Sequence, residues 1–324
     1  MSTRDQNCYF PLQKGRYEVT PGLNTLGTDF GNVHDDKLIF QIDANFPRYR
    51  EEKVTARKER LEKYYCAGTL APDKKSYITR FIINRLCQEH PTLFRHQVRN
   101  THHHLLCRLT DDRLKFDADF VLLNPLPYSN CYVDGLDALA MQVQEDIALV
   151  EITDNGNDRI TALHLCFPNH WSAEDKIGQS FLDSHAPVPG MTKINQHAEQ
   201  LLTSLLHRGP FVRFAWGLAT DDRLNHHPVT PDYADAEEWQ GRCFDPTNPE
   251  LYLRVERQVI QGLPTIGILL FTIRTYFYDV AILKRAPEKR QVLQSALQSM
   301  SAATLNYKGL TQNRSLIMDW LNRD

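Results

Sequence analysis

Thirteen histidines are spread through the 324 residues, so an imidazole has to be judged by its surroundings rather than by its presence. The run His102-His103-His104 cannot turn three side chains toward one metal from a strand or a helix. Only Cys107 lies near enough to join one of them, so the run reads as a solvated or half-buried stretch. His226-His227, inside a polar segment, reads the same way. His185 differs, because Pro187 and Pro189 stiffen the chain after it and a stiff loop can aim a ring. His197 shares an apolar helical stripe with Ile194, Ala198, Leu201, Leu202 and Leu205, where it is either a satisfied core histidine or a ligand. His170, beside Trp171, is a third option. The chemistry open to such a ring is to hold a haem iron, which takes a neutral imidazole nitrogen in an apolar slot.

Charged residues inside apolar β-type runs form the second set: Arg213, Glu256 and Arg274. Either they face solvent, as on most half-exposed sheets, or they line a cavity. Alternation puts the small residues Ala215 and Gly217 on the side of Arg213, away from Val212, Phe214, Trp216 and Leu218, so something flat could approach there.

The elements that must position these groups follow from periodicity. Residues 147–153 and 159–167 alternate around Asp154-Asn155-Gly156-Asn157-Asp158 and predict a β-hairpin. Ser172 predicts the cap of a helix starting at Ala173, and a second helix carries the His197 stripe and stops at Gly209-Pro210. Strands are expected over 211–218, 251–260 and 266–280, the first two separated by a polar stretch of roughly thirty residues. The order ββ-α-α-βββ predicts an α+β core, with a five-stranded antiparallel sheet and helices on one face. Upstream, the charged stretch 49–65 predicts an exposed helix and Ile78, Phe81, Ile82, Ile83 and Leu86 an amphipathic one; helices are expected again over 287–305 and 315–322.

Composition narrows the classes. Forty acidic against 37 basic side chains give a net charge of -3, which offers no basic field for nucleic acid or an anionic membrane. No apolar run reaches membrane-spanning length and the opening MSTRDQNCYF lacks a signal-peptide layout, so the expected location is cytoplasmic. The seven cysteines include no CxxC pair, which removes zinc ribbons and a disulfide framework. GxGxxG after a strand, GxxxxGK[ST], GxSxG and HExxH are all missing. If the chain is a redox enzyme, its reducing equivalents come from another chain.

Several strings, in this order, resemble one family. They are QEDIALVE (144–151), CFPNHWSAEDKIGQSFLDSHAPVPG (166–190), LRVERQ (253–258) and LFTIRTY (270–276), together with the early GLNTLG and the Phe-Pro-x-Tyr of 43–57. The combination is similar to the family of the haem-binding alpha subunit of oxidative N-demethylase and covers nearly the whole chain. The resemblance implies a PAS-like core over 144–282, with a mainly helical N-terminal extension (1–143) and a helical C-terminal one (283–324). It also implies haem b in the PAS cavity and electrons from separate reductase subunits that carry FMN and a 2Fe-2S cluster and use NADPH. The activity implied is a monooxygenase-type oxidative demethylation of a small secondary amine such as dimethylamine, with O2, releasing formaldehyde. Carried onto this sequence, His185 is the expected axial ligand, with His197 next. Arg213 and Glu256 fall on the substrate side, and Arg274 and Trp216 complete the expected cofactor contacts. One departure stands out: the family pattern has Asn-Trp where this chain has Ala215-Trp216, so the pocket differs there. Two other readings stay open, a non-catalytic haem or small-ligand sensor and a haem-free scaffold subunit, and the oligomeric state is left open as well.

Overall fold

The computed structural model describes residues 7–12, 14–123, 132–153, 155–241 and 243–323. Cys131 and the hairpin residue Asp154 lie outside them. In chain order the strands are β1 (Asn24–Thr25), β2 (Tyr65–Ala67), β3 (Phe94–Arg99), β4 (His102–Cys107), β5 (Arg113–Phe116), β6 (Leu122–Leu123), β7 (Asp146–Ile152), β8 (Asp158–His164), β9 (Phe211–Ala219), β10 (Tyr252–Leu263) and β11 (Ile268–Asp279). The helices are α1 (Phe46–Tyr64), α2 (Pro72–Glu89), α3 (Gly135–Ala140), α4 (Ala173–Lys176), α5 (Phe181–His185), α6 (Thr192–Asn195), α7 (Ala198–Arg208), α8 (Ala236–Gln240), α9 (Val280–Lys284), α10 (Pro287–Ser299), α11 (Ala302–Tyr307) and α12 (Arg314–Asn322).

Strands β7 to β11 form the antiparallel sheet expected from their alternation, but it holds seven strands rather than five. Its order is β1-β9-β10-β11-β7-β8-β2, the two extra strands being short edges too brief to show a pattern in sequence. Register then sorts the side chains, because residues directly opposite one another point the same way. Arg213 pairs with Gln258, Ala215 with Glu256 and Gly217 with Arg254; across the other ladder Glu256 meets Thr275 and Gln258 meets Ile273. All of these share one face. Trp216, paired with Val255, and Arg274, paired with Arg257, belong to the opposite face.

Helices α4 to α7 cover the Arg213 face. Leu202, Leu205 and Leu206 of α7 pack on Ile260 and Leu269, each burial contributing about 2 kcal/mol. Gly262 permits the approach: an added Cβ would sit 2.0 Å from the Leu206 carbonyl oxygen. Ser172 caps α4 as expected, accepting from Asp175 N at 3.1 Å.

The other face is covered as well, so the expectation of helices on one side only is corrected. Ile78, Ile82 and Leu86 of α2 join Ile147, Leu149 and Val259, while Leu297 of α10, Trp320 of α12 and Tyr9 join Leu253, Val255 and Tyr276. Segment 1–143 carries α1, α2 and α3 and, in addition, an antiparallel sheet of order β3-β4-β5-β6. Buried Phe94, Leu105, Leu114 and Phe116 alternate there with Arg95, His104, Arg113 and Lys115. Helix α1, expected to be exposed, buries Tyr49, Lys53, Ala56, Lys63 and Tyr64. Among the described residues no helix is long and apolar enough to cross a membrane.

Candidate functional site

Glu256 lies at the centre of the Arg213 face, its side chain 13% exposed. Gln258 Nε2 donates to one carboxylate oxygen at 3.0 Å, and Arg254 Nε lies 3.6 Å from the other. Arg254 is itself fixed from behind. Its Nη2 donates to Phe167 O at 2.7 Å, and its Nη1 donates to Leu224 O at 3.2 Å and to His226 Nδ1 at 3.1 Å. Arginine can only donate, so His226 accepts at Nδ1, carries its proton on Nε2 and gives that proton to Asp221 at 2.8 Å. Burial pushes the His226 pKa down, in keeping with this neutral form, and the Asp221 hydrogen bond pulls the other way.

Two more cations approach the same carboxylate. Arg213, half-buried on β9, has a buried Nε with no hydrogen-bond partner; burial lowers its pKa while Glu256 and Tyr17 oppose the shift. Lys308, just beyond α11, donates to the Trp216 carbonyl at 2.7 Å and lies 5.5 Å over the Tyr17 ring. Burial brings its pKa down to about 8, with Glu256 acting the other way. Between these groups the sheet has room: Gly217 is buried, yet nothing lies within 4 Å of where its Cβ would be.

His185 closes α5. Its Nδ1 bonds to Phe181 O at 2.8 Å and lies 3.0 Å from Ser184 Oγ, and its ring packs 4.4 Å from that of Phe181. An Nδ1–H given to a carbonyl leaves Nε2 with the lone pair, the tautomer a metal takes. Burial lowers the His185 pKa, the Phe181 bond raises it, and the nearby Arg213 charge lowers it further. Arg213 is thus the charge that acts on both His185 and Glu256.

Other expected residues fall elsewhere. Arg274 is fully buried on the opposite face, where Nη2 donates to Asp43 at 2.8 Å and the guanidinium lies 3.9 Å over the Tyr49 ring, anchoring the start of α1. The Trp216 side chain shares that face and meets Tyr17 edge-on at 5.7 Å. His197 is exposed, because the expected helix breaks between α6 and α7 and leaves it at the N-cap of α7. His170 is exposed too, stacked 5.4 Å from His226. His226 and His227, expected to be solvated, are buried. His102, His103 and His104 are half-buried on β4.

A buried cluster that sequence reasoning missed brings ligand atoms of Asp146, His164 and Cys166 within 4.8 Å of one another. Its contacts are those of packing. Asp146 accepts from Cys166 N and Phe167 N, both at 2.8 Å, and burial holds the Cys166 thiol well above its ordinary pKa. The Lys53 ammonium, which donates to Ala140 O at 2.8 Å and Val143 O at 3.0 Å, adds positive charge beside the cluster, so a cation is disfavoured there.

Residues 32–318 match the model of a family described as haem-dependent oxidative N-demethylase, alpha subunit-like. The chain belongs to that family. In this N-demethylase alpha subunit-like chain, Arg254 and Lys308 are the residues around Glu256 that the sequence reading did not single out. Arg254 had a signal, since it stands two places before Glu256 on a strand and so shares its face. Lys308 had none, because only tertiary folding carries it to β9.

Proposed function

We propose that the chain binds haem between the Arg213 face of its sheet and helices α4 to α7, and serves as the catalytic subunit of an oxidative N-demethylation. The observation that carries this reading is an imidazole fixed at Nδ1, its Nε2 without a partner among the described residues, with the Arg213 charge acting on it and open space beside Gly217. An orphaned buried Arg213 Nε and a space that a Cβ would only begin to fill suit a flat group with anionic substituents. The unit from β7 to β11, with its last strand beside its first and its helices between β8 and β9, supports a PAS-like core over 144–282 carrying the two extensions.

In this reading His185 Nε2 holds the iron. The bound haem supplies one-electron chemistry and dioxygen activation, and the electrons come from partner subunits with FMN and a 2Fe-2S cluster that oxidise NADPH. The chain's own residues do the rest. Glu256, oriented by Arg254 and Gln258, accepts a hydrogen bond from the amine and favours its protonated form before reaction. Arg213 offers its unpaired donor to an anionic group, and α7, locked on Gly262, keeps water from that side of the sheet. The substrate is a small secondary amine of the dimethylamine kind, whose N-methyl carbon leaves as formaldehyde.

The test is the visible spectrum of the full chain purified with added haem, wild type against His185→Ala. The expected result is a Soret band in the wild type that is lost or displaced in the variant while unfolding by urea is nearly unchanged. An unaltered Soret band would remove His185 as ligand, and a wild type that takes up no haem would favour the haem-free scaffold reading.

A further inference from the structure

Glu256 is already held by Gln258 and Arg254, yet two further cations are kept beside it. Among the described residues the Lys308 ammonium donates only to Trp216 O, at 2.7 Å, although it carries more donors than that. The Arg213 Nε is buried and, among the described residues, donates to nothing. Burying cationic donors without acceptors is unfavourable, so their presence beside open space calls for an acceptor from outside the chain. Charge gives its sign: Arg254 has Asp146 as well as Glu256, whereas Glu256 is the one carboxylate acting on both Arg213 and Lys308 among the described residues, which leaves that end positive. Geometry gives its kind. A guanidinium fork takes two oxygens side by side and an ammonium acts as a point charge, a pair that suits a carboxylate. Tyr17 and Tyr307 flank Lys308 at 5.5 and 5.9 Å, which directs it and keeps its charge from open water.

We propose that Arg213 and Lys308 together bind a carboxylate in the open space beside Gly217. The carboxylate has two available sources, a propionate of the porphyrin or the carboxylate of an N-methyl amino acid. Only the first rests on the haem reading above. The second would extend the substrate class from simple amines to zwitterions, with Glu256 taking the ammonium end.

The experiment has two arms, each run on the full-length wild type, Lys308→Met and Lys308→Arg. In one, the haem-free chain is titrated with iron protoporphyrin IX and with its dimethyl ester, followed by absorbance. In the other, haem-free and haem-loaded chains are titrated with N-methylglycine and with dimethylamine by calorimetry. The expected result is a preference for the carboxylate-bearing probe of about 10-fold or more in at least one arm, lost in Lys308→Met and kept in Lys308→Arg. Should Lys308→Met not fold, Lys308→Gln, which keeps a donor for Trp216 O, takes its place. No preference in either arm, or one that Lys308→Met leaves intact, overturns the proposal. A chain that takes up neither porphyrin yet prefers N-methylglycine would defeat the haem reading and leave this one standing.

Discussion

Replacing Arg254 by Met keeps an apolar stem of similar length and removes the guanidinium. Three buried acceptors lose this donor, the carbonyls of Phe167 and Leu224 and the His226 ring nitrogen, and Glu256, still held by Gln258, loses its ion pair. Each buried acceptor left unpaired costs about 1–3 kcal/mol. Against this, a guanidinium no longer has to be desolvated, a gain of several kcal/mol. The net is a loss of about 3–5 kcal/mol, the size seen when one member of a buried charged network is deleted. At about 2 °C per kcal/mol for a chain of this size, the midpoint falls by roughly 6–10 °C. The damage is also local. Leu224 and His226 lose their tie to β10, although backbone bonds from His226 N to Pro168 O (3.1 Å) and from His170 N to His226 O (2.9 Å) still hold them to the neighbouring turn, so limited proteolysis of the variant should cut faster within 220–249. Urea unfolding and a timed trypsin digest measure both effects. A loss under about 1 kcal/mol together with an unchanged digest would refute the view that Arg254 is the fixed post on which Glu256 and this segment depend.

Three other substitutions probe the same construction. Gly217→Val should fold with stability within about 1 kcal/mol of wild type, because nothing lies within 4 Å of the new Cβ, yet it should sharply weaken porphyrin uptake measured by Soret titration. Gly262→Ala drives a methyl into the α7 backbone, at 2.0 Å from Leu206 O, and should lose about 3 kcal/mol or more in urea unfolding. His164, fully buried, has its pKa pushed down to about 4 by burial, so the unfolded chain binds the extra proton first as pH falls. Its contribution is therefore complete above about 6.5 and is lost between there and about 4, on the order of 3 kcal/mol. His164→Asn should flatten that limb of the stability profile. Burial raises Glu145 to about 7 and Asp146 to about 6, so these carboxyls act in the opposite sense, favouring the fold at lower pH.

Alternation made the long strands legible, and with them the shared face of Arg213, Ala215 and Gly217. Relative register was not legible. Nothing in LFTIRTY tells that Arg274 aligns with Arg257 rather than with Arg254, so the sequence reading placed a fully buried anchor of α1 among the cavity residues. The small sheet escaped notice for a related reason. Its β3-β4 hairpin turns through Asn100 and Thr101, both at positive φ (47° and 66°), without the glycine that normally announces such a turn. His197 was misplaced because two short helices, not one, occupy its region. His185 stood out in sequence because its proline-rich neighbourhood is a local feature, whereas Lys308 and Tyr17, which meet beside the Arg213 strand, come from distant parts of the chain.

That last arrangement has a kinetic consequence. Tyr9 N donates to Tyr278 Oη at 2.9 Å and Tyr17 N to Ser299 Oγ at 2.8 Å, contacts that join residues 269 and 282 positions apart. Contacts of such high sequence separation form late and slowly. Among the described residues β1 meets β9 only at Phe211 and Val212, so the rest of that outer margin waits for its cover on the distant segments and is the part of the sheet that sets last.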